Sequence, residues 1–85
     1  MKILGLIGGM SAESTTVYYQ TLNGLVRARL GGLHSAQILL RSLDFAPIAK
    51  LQSAGDWDAT GVILADAAAR LEAAGAEAIL ICANT

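Results

Sequence analysis

Lys2-Ile3-Leu4-Gly5-Leu6-Ile7-Gly8-Gly9-Met10-Ser11 decides the fold. The run from Lys2 to Ile7 is short, continuous and mostly apolar, and turn residues follow it. That is the pattern of a strand buried on both faces. Ser11 stands where an N-cap belongs. Glu13 then falls in the first turn, where the helix dipole favours an acid, and a helical pattern begins. A strand that runs through glycines into a helix N-terminus leaves a shelf of backbone N–H groups, which suits a phosphate or a carboxylate. The alternative is that the glycines serve only to let strand and helix pack closely.

Outward from this stretch, the spacing predicts a helix over residues 12–30. Tyr18, Leu22, Leu25, Val26 and Arg29 fall on one face of it at steps of three and four. Gly24 weakens it by about 1 kcal/mol relative to alanine, and Gly31-Gly32 ends it. A second strand is predicted over residues 35–41, with Ile38-Leu39-Leu40 as its buried centre. His34 precedes it and reads as a polar loop residue. No Cys, Asp or second His lies at ligand spacing, so no metal site is expected. Ser42-Leu43-Asp44 leaves this strand. Asp44 reads as the cap of a short helix with Pro47 in its first turn, and Ser42 stays open as a ligand contact. Gly55 closes that helix. Asp56 caps the next one, over residues 57–74, with Asp58 in its first turn. Leu64, Ala68 and Leu71 form its apolar line, and Asp66 and Arg70 can pair four residues apart. Trp57, at its start, reads as a packing anchor. A third strand is expected over residues 78–82, and Ala83-Asn84-Thr85 leaves its carboxyl end.

Strand, helix, strand, helices, strand is the order of right-handed crossovers. It predicts an α/β fold: a three-stranded parallel sheet in the order 2-1-3 with helices on its faces. Three strand ends, at Gly8, Ser42 and Ala83, then open on one edge of the sheet, where ligands bind in such folds.

The chain is 85 residues long, 54% hydrophobic and only 15% charged. A lone domain of this size must cover itself with polar surface, so self-association or a missing C-terminal half is expected. The net charge of −1 gives no reason to expect nucleic acid or an anionic membrane as partner. The single cysteine, Cys82, excludes an intramolecular disulfide and fits a reducing compartment. No signal-peptide pattern opens the chain, and its apolar runs fall far short of the about 20 residues that span a bilayer. A cytoplasmic protein is expected.

The glycines do not form a dinucleotide fingerprint, since Gly5, Gly8 and Gly9 have spacings of three and one, and no phosphate-binding G-x-x-x-x-G-K-[ST] run occurs. Lys2 and Lys50 lie away from the strand ends, which disfavours a pyridoxal phosphate Schiff base. No cofactor is expected. Cys82 ends an apolar strand, which is a common place for an inert buried cysteine. It also sits where polar groups converge, and a thiolate can take an acidic α-proton if its surroundings lower its pKa.

The opening Lys2 to Ser11 run, Glu13-Ser14-Thr15, Tyr18-Tyr19, Gly31-Gly32-Leu33-His34-Ser35-Ala36, Gly75-Ala76-Glu77 and Cys82-Ala83-Asn84-Thr85 together resemble the aspartate/glutamate racemase family. The resemblance covers essentially the whole sequence. It implies a fold of two similar halves with the active site between them, of which residues 1–85 make a partial N-terminal α/β domain. It implies racemisation of a small amino acid without pyridoxal phosphate, by two residues, typically cysteines, on opposite sides of the α-carbon. One comes from a Cys-Asn-Thr segment, the other from a Gly-Cys-Thr-Glu type segment far downstream. The substrate carboxylate is held by backbone N–H groups and by the residues that map onto Asn84 and Thr85. Met10 and Ser11 of the glycine turn line the pocket, and Ser42 matches a polar contact at a strand end. Ala83 stands where the family usually has its cysteine, and Cys82 comes one residue earlier. In a strand a shift of one residue turns a side chain to the other face. Cys82 is nevertheless the one candidate acid/base in the sequence. The alternative reading is a non-catalytic α/β fragment that binds a small carboxylate at Met10, Ser11, Ser42, Ala83, Asn84 and Thr85, or that assembles with a partner chain.

Overall fold

Residues 1–83 are described by the computed structural model. The elements follow in the order β1 (Ile3–Gly8), α1 (Ala12–Leu30), β2 (Gln37–Ser42), α2 (Phe45–Ser53), α3 (Trp57–Ala73) and β3 (Ala78–Ile81). The three strands form one sheet in the order β2-β1-β3, and both pairings are parallel. This is the architecture the sequence predicts.

The central strand explains the layering. Its side chains alternate between two helix layers. A Cβ on Gly5 would stand 2.9 Å from the Ala76 Cβ and 3.3 Å from the Leu71 Cβ, so Gly5 lies beneath α3 and its exit. A Cβ on Gly8 would meet Thr15 of α1 at 2.6 Å. The two glycines therefore admit one helix on each face. Ile7, Ala67, Leu71 and Ala76 form the core beneath α3, with Leu39, Leu43, Leu64 and Ala68 packed against it. Alanines at 67 and 68 let α3 lie close on the strands.

The caps stand where the sequence puts them. Ser11 Oγ accepts from Ser14 N at 3.3 Å, Asp44 Oδ1 from Ala46 N at 3.3 Å, and Asp56 Oδ1 from Ala59 N at 3.1 Å. Gly31 caps the end of α1, and its N–H donates to the Arg27 carbonyl. Arg70 Nε donates to Asp66 Oδ2 at 2.9 Å.

Four expectations need correction. Leu25 and Arg29 do not share the buried face of α1; Leu25 is 59% exposed and Arg29 is exposed, whereas Thr15 and Asn23 are buried and Tyr18, Leu22 and Val26 are half-buried. The helix has 19 residues and the strand beneath it six. At about 28 Å against about 20 Å, the helix outruns its support and its last turns hang free. Leu40 is 48% exposed rather than a buried centre, because β2 is an edge strand and α1 lies over β1. Trp57 is 63% exposed and anchors nothing among the described residues; α3, with 17 residues over short strands, overhangs the sheet at that end. Last, β2 starts at Gln37 because the Ala36 N–H goes to Asn23 Oδ1 at 2.9 Å, and β3 stops at Ile81, one residue early.

Candidate functional site

Parallel pairing brings the carboxyl ends of the strands to one edge. Gly8 is level with Ser42, and Ile7 with both Arg41 and Ile81. Cys82 N still donates to the Ile7 carbonyl at 2.8 Å, after which Ala83 N turns back to Ile81 O at 3.0 Å. Ala83 therefore leaves the sheet beside the glycine turn.

The turn itself is fixed from α1. Gly9 has a φ of 90°, in the left-handed region. A side chain there would run into the Leu43 backbone, which approaches because Leu43 N donates to Gly8 O at 2.8 Å. Gly9 N donates to Thr15 Oγ1 at 3.0 Å, and Thr15 Oγ1 donates to Ser11 O at 3.0 Å. Thr15 is buried, and both bonds are partly sheltered from water. The first backbone bond at the start of α1 runs from Thr15 N to Ser11 O. The N–H groups of residues 12–14 precede it, as at any helix start, and Ser14's is taken by Ser11. Ser14 is thereby removed from the N–H shelf that the sequence suggests, and Met10 and Ser11 at its start are half-buried.

On the neighbouring side of α1 lies an open groove of about 390 Å³, lined by Glu13, Ser14, Val17, Tyr18 and Ala83. Tyr18 closes one end, its hydroxyl donating to the Ala83 carbonyl at 3.5 Å. Of the residues singled out from the sequence, Ala83 lines this groove. Met10 and Ser11 stand in the turn beside it, and Ser42 is exposed at the end of β2. Asn84 and Thr85 lie outside the described residues. Sequence reasoning missed Thr15 as the lock on the glycine turn and Tyr18 as the tie to Ala83. The spacing of Ser14, Val17 and Tyr18, three and then one, was the available signal for a shared face.

Cys82 is fully buried, and burial pushes its thiol up. A proton acceptor needs the opposite shift. The groove wall next to it is formed by Ala83 instead. His34 is exposed before β2, at the other end of that strand from Ser42. Among the described residues no three His, Cys, Asp or Glu side chains are grouped to hold a metal ion, and no helix is long and apolar enough to cross a membrane.

Residues 7–85 match the family model for Asp/Glu/hydantoin racemases. A solved structure from Yersinia pestis, described as that of a putative Asp/Glu racemase, is 57% identical and superposes with a TM-score of 0.96. An aspartate racemase homologue from Pyrococcus horikoshii OT3 is 34% identical, with a TM-score of 0.86. In each case 99% of this chain is covered, and the chain spans 36% of the other's length.

Proposed function

Since the chain belongs to the Asp/Glu/hydantoin racemase family, we propose that it supplies one face of the active site of a cofactor-independent amino-acid racemase. The observation that carries this is the convergence at one sheet edge: a locked glycine turn, the first turn of α1 and the chain leaving β3 at Ala83. In this reading the substrate carboxylate sits on the N–H shelf of residues 10–13, beside Met10 and Ser11. Ser42, Asn84 and Thr85 complete its polar contacts, and the α-carbon faces Ala83. A bound carboxylate with neutralised charge makes the α-proton more acidic. Inversion then needs a group on each side of the α-carbon. Cys82 is the acid/base candidate on this side. The opposite group comes from the part of the relatives' length that this chain does not span.

The burial of Cys82 and the presence of Ala83, which has no ionisable group, at the groove favour a second reading, in which this portion binds the carboxylate and moves no proton. One experiment separates the two. Pure protein is incubated with each enantiomer of aspartate, glutamate and neutral amino acids in deuterated water. Mass spectrometry follows α-deuteration, and chiral chromatography follows inversion. The first reading expects slow exchange without inversion, lost in Cys82→Ser. Carboxylate binding with no exchange supports the second. Rapid inversion that vanishes in Cys82→Ser would mean that two copies of the chain complete a site between them.

A further inference from the structure

Thr15 and Thr60 hold the same place in their helices, four residues after the caps Ser11 and Asp56. Both are buried, and each hydroxyl donates to the carbonyl of its cap residue, at 3.0 Å and 3.1 Å. That bond is local to the helix. Thr15 makes one bond more. Its Oγ1 also accepts the Gly9 N–H, from outside the helix, and among the described residues no such bond reaches Thr60. The directions are forced, because an amide N–H only donates, a carbonyl only accepts and a hydroxyl can do both. The Thr15 methyl meets a different neighbour. A Cβ on Gly8 would stand 2.6 Å from Thr15 Cγ2, so the methyl lies against Gly8. Gly9, with its φ of 90°, turns the chain from β1 toward α1. One side-chain oxygen thus ties that turn to the carbonyl of the N-cap. A donor bonded in this way is not free for a ligand.

We infer that the Thr15 hydroxyl is a positioning group for the substrate: it holds the Gly9 peptide so that the amides after it, at Met10 and Ser11, stand ready before a carboxylate arrives. This rests on the racemase reading and adds to it a residue outside the polar contacts of that reading. Thr15 touches no substrate and moves no proton, since its one hydroxyl hydrogen is committed to Ser11 O. The hydroxyl serves the site, and the methyl serves the fold. Without the hydroxyl the turn samples other conformations. Affinity then falls by the fraction of molecules that still hold the binding one.

Amide NMR on the 85-residue protein, with L-aspartate as the probe, tests this. Thr15→Val keeps a methyl against Gly8 and loses the hydroxyl, whereas Thr15→Ser keeps the hydroxyl and loses the methyl. Exchange of the Gly9 amide should be slow in the free wild type and in Thr15→Ser. In Thr15→Val it should accelerate more than exchange at Leu71. Affinity for L-aspartate is read from the Met10 and Ser11 amide shifts. It should fall about tenfold in Thr15→Val, as a drop to one competent molecule in ten requires, and Thr15→Ser should retain it. Equal affinity in the wild type and Thr15→Val would overturn the inference. So would an equal loss in Thr15→Ser, because the residue would then act only through the fold. If Thr15→Val does not fold, the wild type still decides: Gly9 exchange as fast as that of an exposed loop amide would show that Thr15 holds nothing. A wild type whose Met10 and Ser11 amides ignore L-aspartate would instead sink the carboxylate site of the racemase reading, and the positioning role with it.

Discussion

The two faces of the sheet are covered by different means. Beneath α3 the contact is apolar, with Ala67 and Leu71 of the helix clustered with Ile7 of β1 and with Ala76 just past the helix end. Beneath α1 the buried helix residues are polar. Thr15 ties Gly9 to Ser11, and Asn23 bridges Tyr19 O at 3.0 Å and Ala36 N at 2.9 Å. Among the described residues no buried side-chain nitrogen or oxygen lacks a partner. Apolar packing supplies free energy but tolerates small shifts, whereas hydrogen bonds are directional and set position. The face that stabilises the fold and the face that positions the glycine turn are thus separate.

The largest effect should come from the apolar face. Leu71→Ala removes the bulk from the centre of the α3 contact and should cost about 2–5 kcal/mol. A chain of this size is stable by roughly 4–13 kcal/mol, so the variant should lose a large share of its stability. Urea unfolding at one low protein concentration, where association does not contribute, measures it. A loss smaller than that of the polar variant below would break the contrast between the faces.

Much of this was legible in the sequence, because it is written in local chemistry. Ser11, Asp44 and Asp56 cap helices by short-range bonds, and Gly31 ends α1 by its backbone conformation. The strand order follows from parallel crossovers. What was not legible depends on long-range fit. The Tyr18–Ala83 contact joins residues 65 apart in sequence. Leu40 and Trp57 look like core residues by type and are exposed only because the helices do not reach over the strand beneath one and overhang the sheet at the other. Asn23 sits among the apolar positions of α1, yet its burial rests on an N–H from the start of β2, which no helical periodicity reveals.

The polar face sharpens the comparison. Asn23→Ala leaves the Ala36 N–H without its acceptor and should cost about 1–3 kcal/mol. The loss should be local in its first consequence: amide exchange at Ala36 should accelerate more than exchange at Ile7 or Leu71. Uniform acceleration at all three would show that Asn23 supports the fold as a whole and that the two faces act as one.

The smallest effect, absent at neutral pH, concerns the residue at the junction of fold and site. Burial raises the Cys82 pKa above its unfolded value, because the folded state disfavours the thiolate. Such a group contributes stability that is fully present below the unfolded pKa, near 8.5, and that is lost as pH rises through the folded one. Between those two values the unfolded chain has released the proton and the folded chain has not, so each rise in pH favours unfolding. Wild-type protein and Cys82→Ala should therefore run parallel in stability up to about pH 8 and diverge above it, the wild type falling faster. Subtracting one profile from the other removes the contributions of all other titrating groups. Alkylation of the native thiol should be correspondingly slow. Parallel profiles throughout the alkaline range would mean that Cys82 ionises as readily folded as unfolded. The thiol would then be in contact with water at the groove, its side chain would share the site with Ala83, and proton transfer from this side of the substrate would gain its missing physical basis.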